Sequence, residues 1–377
     1  MIEFSSAVRE HADAVFVRRT DAASFADREG FQRAGYFMAN ALLTSVPGIE
    51  TRHFVIKPNV VAGSESGDRG KPHESDQGIV TDADFVGGIV ERLQELGARR
   101  ISVAEGGGPT PMTGVYEERG YYRMAAHYGI QVLDLNKDPG TYAPDELNWT
   151  PVDGVVFKEI PFVRPVNDPD VLFINVPTMK THNLGVISLC GKALQGTIAM
   201  GYRHFCNEID DVYKRLPDAG QHYQPDLLQR VQALYEAHCR DRYPRWSQEG
   251  SRYEGYAQRT CDAVQAQRGF LCIVEGVIGR DGTAFHQGKD VLANLSIGGV
   301  NTVHVDAITA YLMGHDPRNI GYLKVAQERG LGSADPASIP VFVLTDDGPV
   351  RCHDLEEIGR VPLGVYFRGD NSRYVFF

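Results

Sequence analysis

The sequence predicts an α/β protein: a mainly parallel sheet with flanking helices, plus a helical insertion. Three observations predict it. Short apolar runs alternate with stretches of helical period over the first two-thirds of the chain, the rhythm of repeated strand–helix–strand units. Several of these runs end in polar or glycine-rich segments, as the carboxyl ends of parallel strands do around a ligand. Composition turns polar from Glu208 to Gln267, and the α/β pattern resumes at Phe270.

The elements follow in order. Ala14–Arg18 reads as a strand and Phe25–Leu43 as a helix. Phe54–Ile56 is a strand that ends in Lys57-Pro-Asn-Val60. The polar stretch from Gly63 to Gly78 is a binding loop, a lid or disordered. Thr81 caps a helix that Gly97 ends, with Asp84 at its third position. Arg100–Ala104 is a strand closing in Glu105-Gly-Gly-Gly108, Tyr116–Tyr128 a helix stopped by Gly129, and Gln131–Leu135 a strand. Val171–Ile174 is a buried strand running into Asn175, Pro177, Lys180, Thr181 and His182. Helices are expected at 225–240, 259–267, 303–313 and 320–329, with strands at 270–275, 291–297 and 339–345. This divides the chain into an α/β part with the candidate site motifs (1–205), a helical insertion or cap (206–268) and an α/β part completing the core (269–377).

Charge and composition exclude several classes. Against 38 Lys and Arg stand 49 Asp and Glu, a net charge of -11, which disfavours nucleic-acid binding through phosphates. No apolar run reaches the roughly 18 residues of a membrane span. The start of the chain lacks the basic and apolar regions of a signal peptide, so a cytoplasmic protein is expected. Six scattered cysteines form neither a ferredoxin run nor a zinc ribbon and read as free thiols.

The candidate site gathers at strand ends. Polar groups crowding the end of a core strand are costly to bury without partners, so Asn175, Lys180, Thr181 and His182 point to a pocket. Lys180 and Lys192 would polarise a carbonyl or hold an anion, and His182 would move a proton. Lys57 and Asn59 end another strand and would face the same crevice. Glu105 would act as acid or base, and the glycines after it permit close backbone approach. His204 and Asp281 complete the substrate-binding set. Asp306, inside an apolar helix, must find a partner, either as a structural hub or in the site. His73, Glu74 and Asp76, or His182 with His204, could gather a cation, but neither set has a metal-site spacing, and no metal is assigned. G-x-G-x-x-G and P-loop patterns are absent.

At these residues the chain resembles a prokaryotic family known as domain of unknown function 362. The resemblance rests on Ile56-Lys-Pro-Asn-Val60, Thr81-Asp82, Val103-Ala-Glu-Gly106, Ile174 to His182, Lys192 with Gly196, Gly298-Gly299, Val305-Asp-Ala307, Gly314 and Gly330-Leu-Gly332. It spans residues 50 to 345, less the insertion. It implies a shared fold and pocket position. Many relatives carry a ferredoxin-like cysteine module, which implies redox work; this chain lacks that module. It also departs from the family pattern at Ala193, Gly279-Arg-Asp-Gly282 and Asn301.

The reading is an enzyme that acts on a small anionic or carbonyl-bearing metabolite by acid/base and electrostatic catalysis, with a role in secondary metabolism. Isomerase, lyase, cyclase and reductase chemistry all fit, and the cofactor is unspecified. One alternative is a cofactor- or metal-dependent oxidoreductase using external electrons; another is a non-catalytic small-molecule binder. A small-molecule ligand is the expected partner, and the polar insertion suits a cap or a homodimer contact better than a core.

Overall fold

The computed structural model describes residues 4–44, 48–61, 76–108, 111–216, 219–241, 244–284, 286–367 and 373–374. Its strands are β1 (Val15–Arg19), β2 (His53–Pro58), β3 (Arg100–Glu105), β4 (Gln131–Asp134), β5 (Leu147–Pro151), β6 (Glu159–Val163) and β7 (Val171–Val176). They continue with β8 (Thr178–His182), β9 (Val186–Ile187), β10 (Phe270–Arg280), β11 (Asp290–Gly299), β12 (Val341–Thr345) and β13 (Gly348–Cys352). An eleven-stranded sheet runs β13-β12-β1-β11-β10-β7-β2-β3-β4, with β8 paired to β10 and β9 to β8. Strands β5 and β6 form a separate hairpin.

The run β10-β7-β2-β3-β4 is parallel throughout, so the strands carrying the candidate motifs end on one side. Strand β11 is antiparallel to both its neighbours, which makes the sheet mixed. Both faces are buried. Val55, Phe173 and Val274 belong to one core, while Phe54, Ile56, Leu172, Ile174 and Ile273 belong to the other. This period of two is the side-chain alternation of a strand covered on both sides, which is why these runs read as continuously apolar.

Helices Arg28–Leu42 and Ala83–Glu95 cover one face. Helices Ser251–Ala266, Thr302–Leu312 and Gly321–Glu328 cover the other. The cap of the helix at 83 is Asp82, which accepts from the N–H of Asp84, and not Thr81. Thr81 is instead buried, donating to the Val176 carbonyl and accepting from the Asn59 N–H, so it ties the ends of β7 and β2 together. The helix expected at 116–128 is two helices, Thr113–Glu118 and Tyr121–Tyr128, separated where Gly120 adopts φ +78°.

Residues 206–268 are largely helical, with helices at Ile209–Arg215, Ala219–His222, Leu227–Arg240, Pro244–Glu249 and Ser251–Ala266. The last of these is not a cap. Tyr253, Tyr256, Ala257, Cys261 and Asp262 are fully buried, and Asp262 accepts backbone N–H groups from Val155, Val156 and Phe157 and pairs with Arg329. Polar composition misleads here because the polar groups find partners inside. The strand expected at 270–275 is also longer: β10 continues through Gly276 to Arg280, alongside β11.

Candidate active site

A cavity of about 210 Å³ opens at the carboxyl ends of β2 and β3. Lys57, Asn59, Glu105, Lys192 and His204 line it, so five of the ten site residues read from the sequence meet there. Arg203, Cys206, Gln195, Gly196 and the glycines at 106–108 form further parts of the wall.

Strand register sets the first contacts. Lys57 and Asn175 are cross-strand partners, on the face that carries the short helix Cys190–Ala193. The Asn175 amide donates to the Cys190 carbonyl at 2.9 Å. Lys57 Nζ donates to Glu105 Oε2 at 2.7 Å, and both side chains are buried. Glu105 also accepts from the N–H of Val60 at 3.0 Å and of Gly106 at 2.8 Å. Burial pushes the Lys57 ammonium below the usual lysine value, while Glu105 opposes that push.

The glycine run serves close approach. A β-carbon on Gly106 would lie 2.3 Å from Arg203 Nη1, and one on Gly107 would lie 2.3 Å from the Val60 carbonyl. Arg203 is buried against this loop and donates to Asn136 Oδ1 and to the Gly107 carbonyl. Sequence reasoning missed Arg203 and Cys206. Residues 198–207 have no periodicity, and the only signal for Arg203 was the glycine run that leaves room for it.

Lys192 differs from the other cations. It is half-buried, lines the cavity, and has no hydrogen-bond or ion-pair partner among the described residues. Its helix is pinned from below by Asp306, whose carboxylate accepts the N–H groups of Cys190 and Gly191, each at 2.8 Å, and the Tyr322 hydroxyl. Burial raises the Asp306 carboxyl to about 6. Asp306 is therefore a hub that positions Lys192 from outside the cavity. Asn301 is the N-cap of the helix that carries Asp306, Thr302–Leu312, accepting from the Val303 and His304 N–H groups.

The polar residues after Pro177 form a strand, β8, and all are buried. They are buried because each has a partner, and none of Asn175, Lys180, Thr181 and His182 lines the cavity, which corrects the expectation that they point into it. Lys180 Nζ donates to Asn59 Oδ1 at 2.7 Å and to the Ile79 carbonyl. Thr181 donates to the Gly282 carbonyl at 3.0 Å, which fixes β8 to a neighbouring loop and not to the cavity. His182 Nδ1 accepts the N–H groups of Leu184 and Gly185 at 3.0 and 3.1 Å. The neutral ring then carries its proton on Nε2, which faces Cys206 Sγ at 3.7 Å. This arrangement favours a fixed donor over the proton carrier expected from sequence. Asp281 accepts from the Lys289 N–H and does not line the cavity.

His73 and Glu74 lie outside the described residues, and Asp76 pairs with Arg119. Among the described residues no three His, Cys, Asp or Glu side chains are placed to hold a metal ion. A larger cleft, of about 600 Å³, lies at the β12–β13 edge, lined by Tyr311, His315, Arg318 and Arg360 among others. Its arginines are largely occupied, Arg318 by Asp316 and Arg360 by Glu356.

A mixed, mainly parallel sheet covered by helices on both faces makes this an α/β protein, with the cavity at the ends of its parallel strands. The chain belongs to the family described as domain of unknown function (DUF362), whose model matches residues 55–311. The crystal structure of a Thermotoga maritima protein, a structural-genomics target, is similar over 70% of this chain and 53% of that one, at 9% identity and a TM-score of 0.38. This chain thus spans about half the length of that protein. No curated protein matches the sequence.

Proposed function

We propose that the protein is an enzyme that takes a small anionic, carbonyl-bearing metabolite into the cavity at the ends of β2 and β3. One observation carries this reading. Lys57, Lys192 and Arg203 against the single carboxylate of Glu105 leave an excess of two positive charges around the cavity, in a chain whose net charge is -11. Protein acceptors hold Lys57 and Arg203, and Lys192 is, among the described residues, the lining lysine or arginine left for a ligand. A carboxylate or phosphate on Lys192 would gain a charge-assisted hydrogen bond in a partly desolvated site. The Lys57–Glu105 pair and Lys180 would then act on the adjoining carbonyl by electrostatic and proton-transfer steps. Among the described residues no helix is long and apolar enough to cross a membrane. Six free thiols fit the reducing cytoplasm.

The test is calorimetric titration with oxalate and with phosphate, followed by assays of turnover on a panel of small 2-oxo acids. Oxalate should bind, and Lys192→Met should weaken it about tenfold or more, the equivalent of one lost charge-assisted contact. A wild-type protein that binds neither anion, or a variant that binds as well, overturns the reading. Binding with no turnover on any carbonyl substrate would leave a binding protein.

A further inference from the structure

We propose that Lys180 is a nucleophile that forms an imine with the carbonyl carbon of a 2-oxo acid whose carboxylate rests on Lys192. This rests on the reading of the cavity given above and narrows its substrate class.

The two buried lysines are built differently. Lys57 has a carboxylate at 2.7 Å. Lys180 is as deeply buried, yet among the described residues no carboxylate lies within ion-pair distance of it. Its Nζ meets two neutral oxygens, Asn59 Oδ1 and the Ile79 carbonyl. A neutral amine has two N–H donors and one lone pair, so two acceptors satisfy the donors and leave the lone pair. A buried ammonium would carry a third donor and an uncompensated charge. Burial, joined by the like charges of Lys192 and Arg280, holds Lys180 well below the ordinary lysine value, with the more distant Glu105 carboxylate opposing that push. A desolvated lysine beside other cations is how an amine becomes nucleophilic near neutral pH.

The position suits the reaction. Asn59 lines the cavity and holds Lys180 Nζ at 2.7 Å. Lys180 lies behind Asn59 and does not itself line the cavity, so the Asn59 side chain must rotate to uncover Nζ. The nitrogen lone pair attacks the carbonyl carbon, and the C=O π electrons move to oxygen, giving a carbinolamine. Both N–H protons and that oxygen leave as water while the C=N bond forms. One ketone and one amine become one imine and one water, with no oxidant or reductant. The imine then draws electron density from the neighbouring carbon, as isomerases and lyases require.

The experiment is reductive trapping. The full-length protein is incubated with pyruvate or glyoxylate and sodium cyanoborohydride, digested, and its lysines are mapped by mass spectrometry. The expected result is one reduced adduct on Lys180, suppressed by excess oxalate and lost in Lys180→Met, with Lys192→Met lowering its yield. Mapping the wild-type protein keeps the test valid should the variant fold poorly. An adduct on Lys57 or Lys192 in place of Lys180 overturns the proposal. So does the absence of any adduct while oxalate still binds, which leaves the cavity reading intact. Failure of both trapping and oxalate binding removes the two together.

Discussion

Gly196 sits against the Glu105 carboxylate so closely that a β-carbon there would lie 1.8 Å from Oε1, and 3.1 Å from Cε of Lys57. The 3₁₀ turn Leu194–Thr197 can thus close over the ion pair only with glycine at that place. Gly196→Ala is expected to cost about 1–3 kcal/mol, the usual range for overpacking, and to weaken oxalate binding. Urea unfolding and calorimetry check both. Unchanged stability with unchanged binding would mean that the turn yields freely.

Breaking the Lys57–Glu105 pair from one side should be severe. Lys57→Met leaves a buried carboxylate that, among the described residues, keeps hydrogen bonds from the Val60 and Gly106 N–H groups, and is expected to cost about 3–5 kcal/mol. The double variant Lys57→Met/Glu105→Gln should recover part of that loss. Additive losses in the double-mutant cycle would show that the pair is not coupled.

Glu275 gives a pH dependence. It is fully buried, and burial raises its carboxyl from 4.5 to about 8. A raised carboxyl pKa means that the folded state holds the proton longer. Its contribution to stability is complete below about pH 4.5 and is lost as pH rises toward 8. Glu275→Gln should flatten that decline, by a difference on the order of 3–5 kcal/mol between pH 5 and pH 8 at most. Denaturant unfolding of both proteins at the two pH values measures it. Parallel curves would place Glu275 among ordinary carboxylates.

For His182, ¹⁵N chemical shifts should show an unprotonated Nδ1 and a protonated Nε2. His182→Asn, whose oxygen can replace Nδ1 as acceptor, should keep most of the stability. His182→Ala strands the N–H groups of Leu184 and Gly185 and should cost about 1–3 kcal/mol. Equal losses in the two variants would show that the ring acts by packing alone.

The parallel strands were legible because burial on both faces makes them continuous apolar runs, and their ends pointed to Lys57 and Glu105, while Lys192 was picked out by its nearness in sequence to Lys180 and His182. Strand β8 was not legible as a strand. Thr178-Met-Lys-Thr-His182 is polar, and its partners at Ile79 and Gly282 lie about a hundred residues away. The helix Ser251–Ala266 was hidden in the same way, since Asp262 and Glu254 are satisfied by Val155–Phe157, Arg329, His238 and Trp246, contacts that no local pattern encodes. The cap at 82 was misread by one residue because Thr81 and Asp82 are both good caps, and only the tertiary bond of Thr81 to Val176 decides between them.

Strand β1 is the first strand in chain order, yet it lies inside the sheet, between β11 and β12. On the ribosome it emerges long before either partner has been made. Its run Val15-Phe-Val17 must wait with unpaired edges and apolar side chains until residues 295–298 and 341–343 arrive. Closing the sheet is therefore a late, long-range event, and recombinant yield should respond to growth temperature and chaperone supply more than the stability of the finished protein would suggest.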